Sequence, residues 1–265
     1  MPEPLDSVTQ DVHVGGARLE TLRYDGDAMR PAIVLLHEGL GSVGLWRDFP
    51  RSLAERTGRT VVAYSRHGYG RSDVLRAKRE PDYMHREADV VLPALLAQLG
   101  LVRPILFGHS DGASIALIYA GTHSGAVRAL ILEAPHVFVE EISVRSIAEA
   151  KSAYAVTDLP AKLKRWHDDP DATFYGWNDI WLDARFRSWN IEAYAQRVRC
   201  PVLLIQGDAD EYGTTAQLDA IAARVRDSRT LLVAGARHSP HRDAPELVLA
   251  QVAAFVAETA RDPDA

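Results

Sequence analysis

The feature that most constrains this chain is Gly108-His109-Ser110-Asp111-Gly112, set between the apolar runs 104–107 and 113–120. A strand that passes into a helix through G-x-S-x-G needs small residues on both sides of the serine, because the turn is tight and strained. The serine oxygen then stands above the sheet, and the next backbone N–H faces charge developing on a bound oxygen. The bland alternative is a polar turn in which Ser110 merely caps a helix. The strand–turn–helix setting favours the chemical reading.

The surrounding pattern agrees with a layered α/β fold. Short apolar or β-branched runs at 18–24, 32–37, 60–64, 104–108 and 129–133 read as strands. Helical periodicity lies between them at 46–56, 83–99 and 113–120. That alternation predicts βαβ units and a mostly parallel sheet. After Pro135 the rhythm stops, and 136–198 reads as mainly helical, cut by Pro160 and Pro170. It resumes beyond Cys200-Pro201 with strands at 202–206 and 229–233 and helices at 214–226 and 245–259. The expectation is one α/β core, 1–135 with 199–265, interrupted by a helical insertion over 136–198. Insertions of that length commonly act as lids.

Composition narrows the chemistry. Cys200 is the one cysteine in 265 residues, which argues against a disulfide framework or a thiolate metal cluster and suits a reducing, cytoplasmic setting. The start, MPEPLDSVTQ, is unlike a targeting peptide, and no apolar stretch is long enough for a membrane span. The formal charge is −6 with basic residues scattered, so neither nucleic acid nor a membrane is an expected partner. A small-molecule substrate is expected, with a homo-oligomer left open.

A nucleophilic serine needs a base, and the base needs an orienting acid. Gly207-Asp208-Ala209-Asp210 closes one strand and Gly235-Ala236-Arg237-His238 the next, both at the sheet edge that carries Ser110. His238 lies nearer its strand end than His241 and is the preferred base. The order Ser, Asp, His is the one this strand arrangement requires.

On these residues the chain resembles the α/β-hydrolase superfamily over nearly its whole length. The family's G-x-x-D acid motif falls on Gly207–Asp210, which implies Asp210 as the third triad member. Its G-x-x-H motif falls on Gly235–His238, with Pro245-Glu246 trailing before the last helix. His37-Glu38-Gly39-Leu40-Gly41 is similar to the oxyanion loop, and 66–72 to the G-x-G-x-S turn after the following strand. The resemblance implies an eight-stranded sheet, a lid after the sixth strand, no cofactor and no metal. It also implies backbone oxyanion donors at Asp111 and at either Gly39 or Leu40. Glu38 departs from the family's usual glycine, which keeps that second donor open. His37 reads as a residue that holds the loop.

Within the superfamily, G-x-S-D-G resembles biphenyl-hydrolase-like esterases, where the acid after the nucleophile receives a substrate amine. Asp111 and Glu38 would then both face the pocket, although Asp111 could instead serve its own helix. His136, Trp177, Trp181, Trp189 and Tyr212 are further candidates for the substrate pocket. Arg185 and Arg187 read as solvated rather than as partners of a substrate carboxylate. The expected activity is hydrolysis of small to medium carboxylic esters. Meta-cleavage C–C hydrolases, thioesterases and lactonases use the same triad, and a hydrolase-fold ligand receptor is a reading of another class.

Three patterns compete with this reading. Gly39-x-Gly41-x-x-Gly44 spells a dinucleotide fingerprint, with Ser65-Arg66 where a 2′-phosphate would sit. At least one strand precedes it, whereas that fingerprint belongs to the first βα unit. Residues 208–219 imitate a calcium loop, but Tyr212 replaces a ligand and a strand precedes it. His238-x-x-His241 with Asp243 lacks the helical spacing of a zinc site.

Overall fold

The computed structural model describes residues 5–259. The outermost ends of the expected core, 1–4 and 260–265, lie outside the described residues. The chain opens with a hairpin, β1 (Ser7–Val14) and β2 (Ala17–Tyr24), joined at Gly15 and Gly16. Both glycines have positive φ (60° and 83°), as a two-residue turn matched to strand twist requires. Then follow β3 (Ile33–Leu36), α1 (Phe49–Thr57), β4 (Val61–Tyr64), α2 (Tyr83–Arg86) and α3 (Leu92–Gln98). Next come β5 (Ile105–His109), α4 (Asp111–Thr122) and β6 (Ala129–Glu133).

Four helices fill the stretch before the next strand: α5 (Glu141–Val156), α6 (Leu159–Leu163), α7 (Pro170–Leu182) and α8 (Glu192–Ala195). Pro160 and Pro170 both sit in first turns, where a missing N–H costs nothing. The chain finishes with β7 (Val202–Gly207), α9 (Ala216–Ala222), β8 (Ser228–Val233), α10 (Pro240–Asp243) and α11 (Pro245–Thr259).

The eight strands form one sheet in the order β1-β2-β4-β3-β5-β6-β7-β8. β1 and β2 are antiparallel to their neighbours, and all other pairs are parallel. The central strands are buried on both faces, which is why they read as continuous apolar runs. Their alternation divides the core in two. Val34, Leu36, Leu106, Leu130 and Leu204 face a cluster that includes α4. Ile33, Leu35, Phe107, Ile131 and Ile205 face the cluster of α1 and α11.

The expected helix at 83–99 runs unbroken over 83–98 but is not uniform. Between α2 and α3 it widens into a π turn over Glu87–Val91, with Leu92 N–H donating to Glu87 O. Pro93 follows at once and has no N–H to offer the regular ladder. The predicted helix at 214–226 is shorter, spanning only Ala216–Ala222. Among the described residues no helix is long and apolar enough to cross a membrane.

Chain direction sets the place of the site. After β3 the chain turns to α1 on one face, whereas after β5 it turns to α4 on the other. The two strands are neighbours, so their C-terminal ends border a crevice where the loops diverge.

Candidate active site

Ser110 occupies the sharp turn between β5 and α4, at φ 54° and ψ −118°. This backbone is unfavourable for a side-chain-bearing residue and persists only where the surroundings over-determine it. They do so here. A Cβ at Gly108 would fall 2.3 Å from Gly112 O, and one at Gly112 would fall 2.0 Å from Leu36 O. Ser110 N–H donates to Glu133 O at 2.8 Å, tying the elbow to the end of β6.

The serine, histidine and aspartate expected to meet do so. Ser110 Oγ lies 2.9 Å from His238 Nε2. His238 Nδ1 lies 2.9 and 3.0 Å from the two oxygens of Asp210. Asp210 also accepts from Tyr212 N–H at 2.8 Å and from Gln206 Nε2 at 3.2 Å. Burial opposes ionisation of Asp210, but the adjoining His238 imidazole and the Tyr212 N–H outweigh it and hold the carboxyl down at about 2. Asp208 instead accepts from Gly235 N–H and braces the turn.

His241 goes elsewhere. Its ring and backbone N–H both donate to Glu133, at 2.6 and 2.7 Å, so the two histidines of the supposed zinc motif diverge. His109 packs between them and donates through Nε2–H to His238 O at 2.7 Å. Its Nδ1 lies 3.4 Å from Glu38, whose carboxylate also meets Arg242 at 3.1 Å. One buried cluster therefore links the elbow, the loop after β3 and the loop that carries His238.

The loop after β3 is fixed from inside. His37 Nδ1–H donates to Glu38 O at 2.7 Å, while Nε2 accepts from Arg66 N–H at 3.0 Å. That pattern requires a neutral ring, in keeping with burial and Arg66 pushing its pKa well down. His37 holds the loop, as expected. Gly39 lies directly under Trp177, with a hypothetical Cβ 2.1 Å from the indole nitrogen. Trp166 covers Gly44 in the same way. Indoles occupy the place a dinucleotide would need.

A cavity of about 100 Å³ opens between Ser110 and the helical segment. Leu40, Ile147, Trp177 and Trp181 supply its apolar walls; His136, Tyr212 and Glu38 complete it. Trp189 does not reach it. Its ring lies behind Trp181 at 6.4 Å and stacks on Phe186, so the register along 177–189 turns it into core.

Both expected acids, Glu38 and Asp111, border the cavity, and both already have partners. Asp111 is fully buried, but its carboxylate accepts from Tyr83 OH at 2.8 Å and Trp181 Nε1 at 3.3 Å. The buried Arg66 guanidinium stands 3.8 Å away. Each oxygen of Asp111 therefore already has a donor inside the protein. Glu38 borders the cavity, yet Arg242 and His109 already neutralise it. Arg185 pairs with Glu80 and Asp183, and Arg187 with Glu141, at the surface.

The sequence reading missed the parts played by Arg66, Tyr83 and Glu133. For the two charged residues the available signal was a charge at or just beyond the end of a buried strand, as in Tyr64-Ser65-Arg66 and Leu132-Glu133. Such a charge must find partners inside the protein.

His136 has an acid-stability consequence. Burial, followed by the neighbouring His238, lowers its pKa to about 4 from 6.5. In that interval the unfolded chain takes up a proton that the folded one refuses. Stability is therefore intact above pH 6.5 and lost as pH falls toward 4, by about 3 kcal/mol for this residue alone. The urea midpoint is expected to fall clearly between pH 7.5 and 4.5. His136→Phe should flatten that fall, and an identical slope in the variant would refute the assignment.

Comparison with known proteins places these features in context. The model of the alpha/beta hydrolase fold family matches residues 31–190. The chain is 35% identical over 108 residues to the mouse (Mus musculus) sn-1-specific diacylglycerol lipase ABHD11, covering 41% of this chain and 34% of that one. It is 26% identical over 187 residues to the human (Homo sapiens) serine hydrolase BPHL, covering 69% and 64% of the two chains. The chain thus spans about a third of the lipase and just under two thirds of the human hydrolase. Among solved structures, the enol-lactonase from Burkholderia xenovorans LB400 superposes with a TM-score of 0.76 at 19% identity, covering 94% of this chain and 100% of that one. More than half of the sequence answers to one family model, and the sheet order and elbow follow the same plan: the chain belongs to the alpha/beta hydrolase fold family.

Proposed function

We propose that the protein is a serine hydrolase acting on small carboxylic esters. The observation that carries this reading is the hydrogen-bonded line from Ser110 through His238 to Asp210, opening on a cavity of about 100 Å³. Ser110 Oγ bonds to the acyl carbon while its proton passes to His238 Nε2. Asp210 holds the Nδ1–H tautomer and stabilises the imidazolium that forms. The N–H groups of Asp111 and of Gly39 or Leu40 receive the oxyanion, each donor contributing about 3 kcal/mol.

Collapse returns the proton to the leaving alkoxide and releases the alcohol. Water then gives a proton to His238 and its oxygen to the acyl carbon. Ser110 leaves with that proton, and the carboxylic acid is the product. The relatives named above, a lipase and a serine hydrolase among them, support the same class of chemistry.

The helical segment 136–198 is part of the proposal as a lid, because Ile147, Trp177 and Trp181 supply the cavity walls. Cavity size supports short acyl groups. An apolar cavity of about 150 Å³ holds a benzene ring, so this one suits an acyl chain of about four carbons. That argues against aryl ring-cleavage products as substrates. A small-molecule substrate and a reducing, cytoplasmic setting, consistent with the single Cys200, complete the proposal.

A fluorophosphonate probe followed by peptide mapping tests the centre of it. Ser110 is expected to carry the label, and p-nitrophenyl acetate and butyrate should turn over at least tenfold faster than the benzoate. Labelling elsewhere would remove the nucleophile assignment. A preference for benzoate would remove the short-acyl reading alone.

A further inference from the structure

His136 has hydrogen-bonding capacity that ester hydrolysis does not use. Its backbone is clamped to α4: Ser114 Oγ donates to His136 O at 2.6 Å, and His136 N–H lies 3.3 Å from that same oxygen. The ring lies 5.0 Å from Trp181 and 5.8 Å from His238, centroid to centroid, on the cavity wall. The residue is 3% exposed. Nδ1 is buried without a partner, and neither ring nitrogen makes a hydrogen bond to any described residue.

Buried imidazoles are ordinarily paired, and leaving one unpaired costs about 1–3 kcal/mol. The carboxylates around the cavity are engaged. Asp111 serves Tyr83 and Trp181, Asp210 serves His238, and Glu38 serves Arg242. Nδ1 is sealed inside the protein, so Nε2 is the ring nitrogen whose capacity is met from the cavity.

We propose that His136 reads a hydroxyl group on the acyl part of the substrate, making short hydroxyacyl esters the preferred class. The ring is neutral above about pH 4, so it offers one donor and one acceptor. A hydroxyl both donates and accepts and therefore satisfies either tautomer. A carboxylate is disfavoured because the ring brings no positive charge while the Asp210 carboxylate stands nearby. A plain alkyl chain leaves the ring unpaired. The remaining walls are Leu40, Ile147, Trp177 and Trp181, which suit the hydrocarbon part.

This inference rests on Ser110 acting as the acyl-accepting nucleophile. The test compares ethyl butyrate, ethyl 2-hydroxybutyrate and ethyl 3-hydroxybutyrate by pH-stat. In the wild type, kcat/KM for one hydroxy ester should exceed that for butyrate at least tenfold, as expected when a buried group is otherwise left unpaired. In His136→Phe that ratio should collapse to about one. His136→Asn, which restores a donor and an acceptor, should recover part of it. This rescue separates recognition from misfolding.

Equal kcat/KM values in the wild type overturn the inference, as does a ratio that survives in His136→Phe. Ser110 labelling without any hydroxyl preference removes only the His136 assignment. Absence of both labelling and turnover removes the Ser110 reading and this inference with it.

Discussion

Ser110→Ala is expected to lower kcat by about 10⁵-fold while leaving the fold in place. Loss of the nucleophile from a three-residue relay costs about as much as losing the whole relay, because its members act as one unit. Structure should be retained for local reasons. The side chain's hydrogen bond is to His238, whereas the elbow is fixed by Ser110 N–H to Glu133 O. Alanine meets the same backbone strain at φ 54° as serine does. Initial rates with p-nitrophenyl butyrate and a thermal melt measure both quantities together. Activity within tenfold of wild type would end the nucleophile assignment.

Asp210→Asn is the second large effect, at about 10⁴-fold in kcat with little change in stability. The aspartate has two oxygens that both accept, one also held by Tyr212 N–H and the other by Gln206. An asparagine keeps one oxygen, which the Tyr212 N–H claims, and turns its amide hydrogens toward His238 Nδ1. The imidazole must then carry its proton on Nε2, where it cannot accept one from Ser110. Steady-state kinetics across pH 6 to 9 measure the loss. A decrease of less than tenfold would show that Asp210 does not set the tautomer.

Much of this arrangement was legible in the sequence because it lies at strand ends. Gly108–Gly112, Gly207–Asp210 and Gly235–His238 each close a strand, the first two of them fully buried, and a parallel sheet brings such ends to one edge. What escaped was determined by partners distant in the chain. β1 is exposed along most of its length, so it lacks the alternation by which a half-buried strand is recognised. Asp111 looked free in sequence, and only the fold brings Tyr83, Trp181 and Arg66 around it. Trp177, Trp181 and Trp189 were equivalent by residue type. One helical turn of register and the bend after α7 decide which two reach the cavity.

The stretch between β6 and β7 contributes Ile147, Phe174, Trp181 and Trp189 to the same apolar cluster as Leu117 and Leu130 of the core. In addition, Tyr194 of α8 lies so close to α4 that a Cβ at Gly121 would come within 2.6 Å of its carbonyl. This stretch is therefore no interchangeable module. A chimaera that imported another protein's helices here would strip the α4 side of the core of its packing partners. Amide exchange in α7 and α4 should accordingly proceed as one cooperative unit. Three of the cavity's walls, Ile147, Trp177 and Trp181, are thus also members of the main apolar cluster.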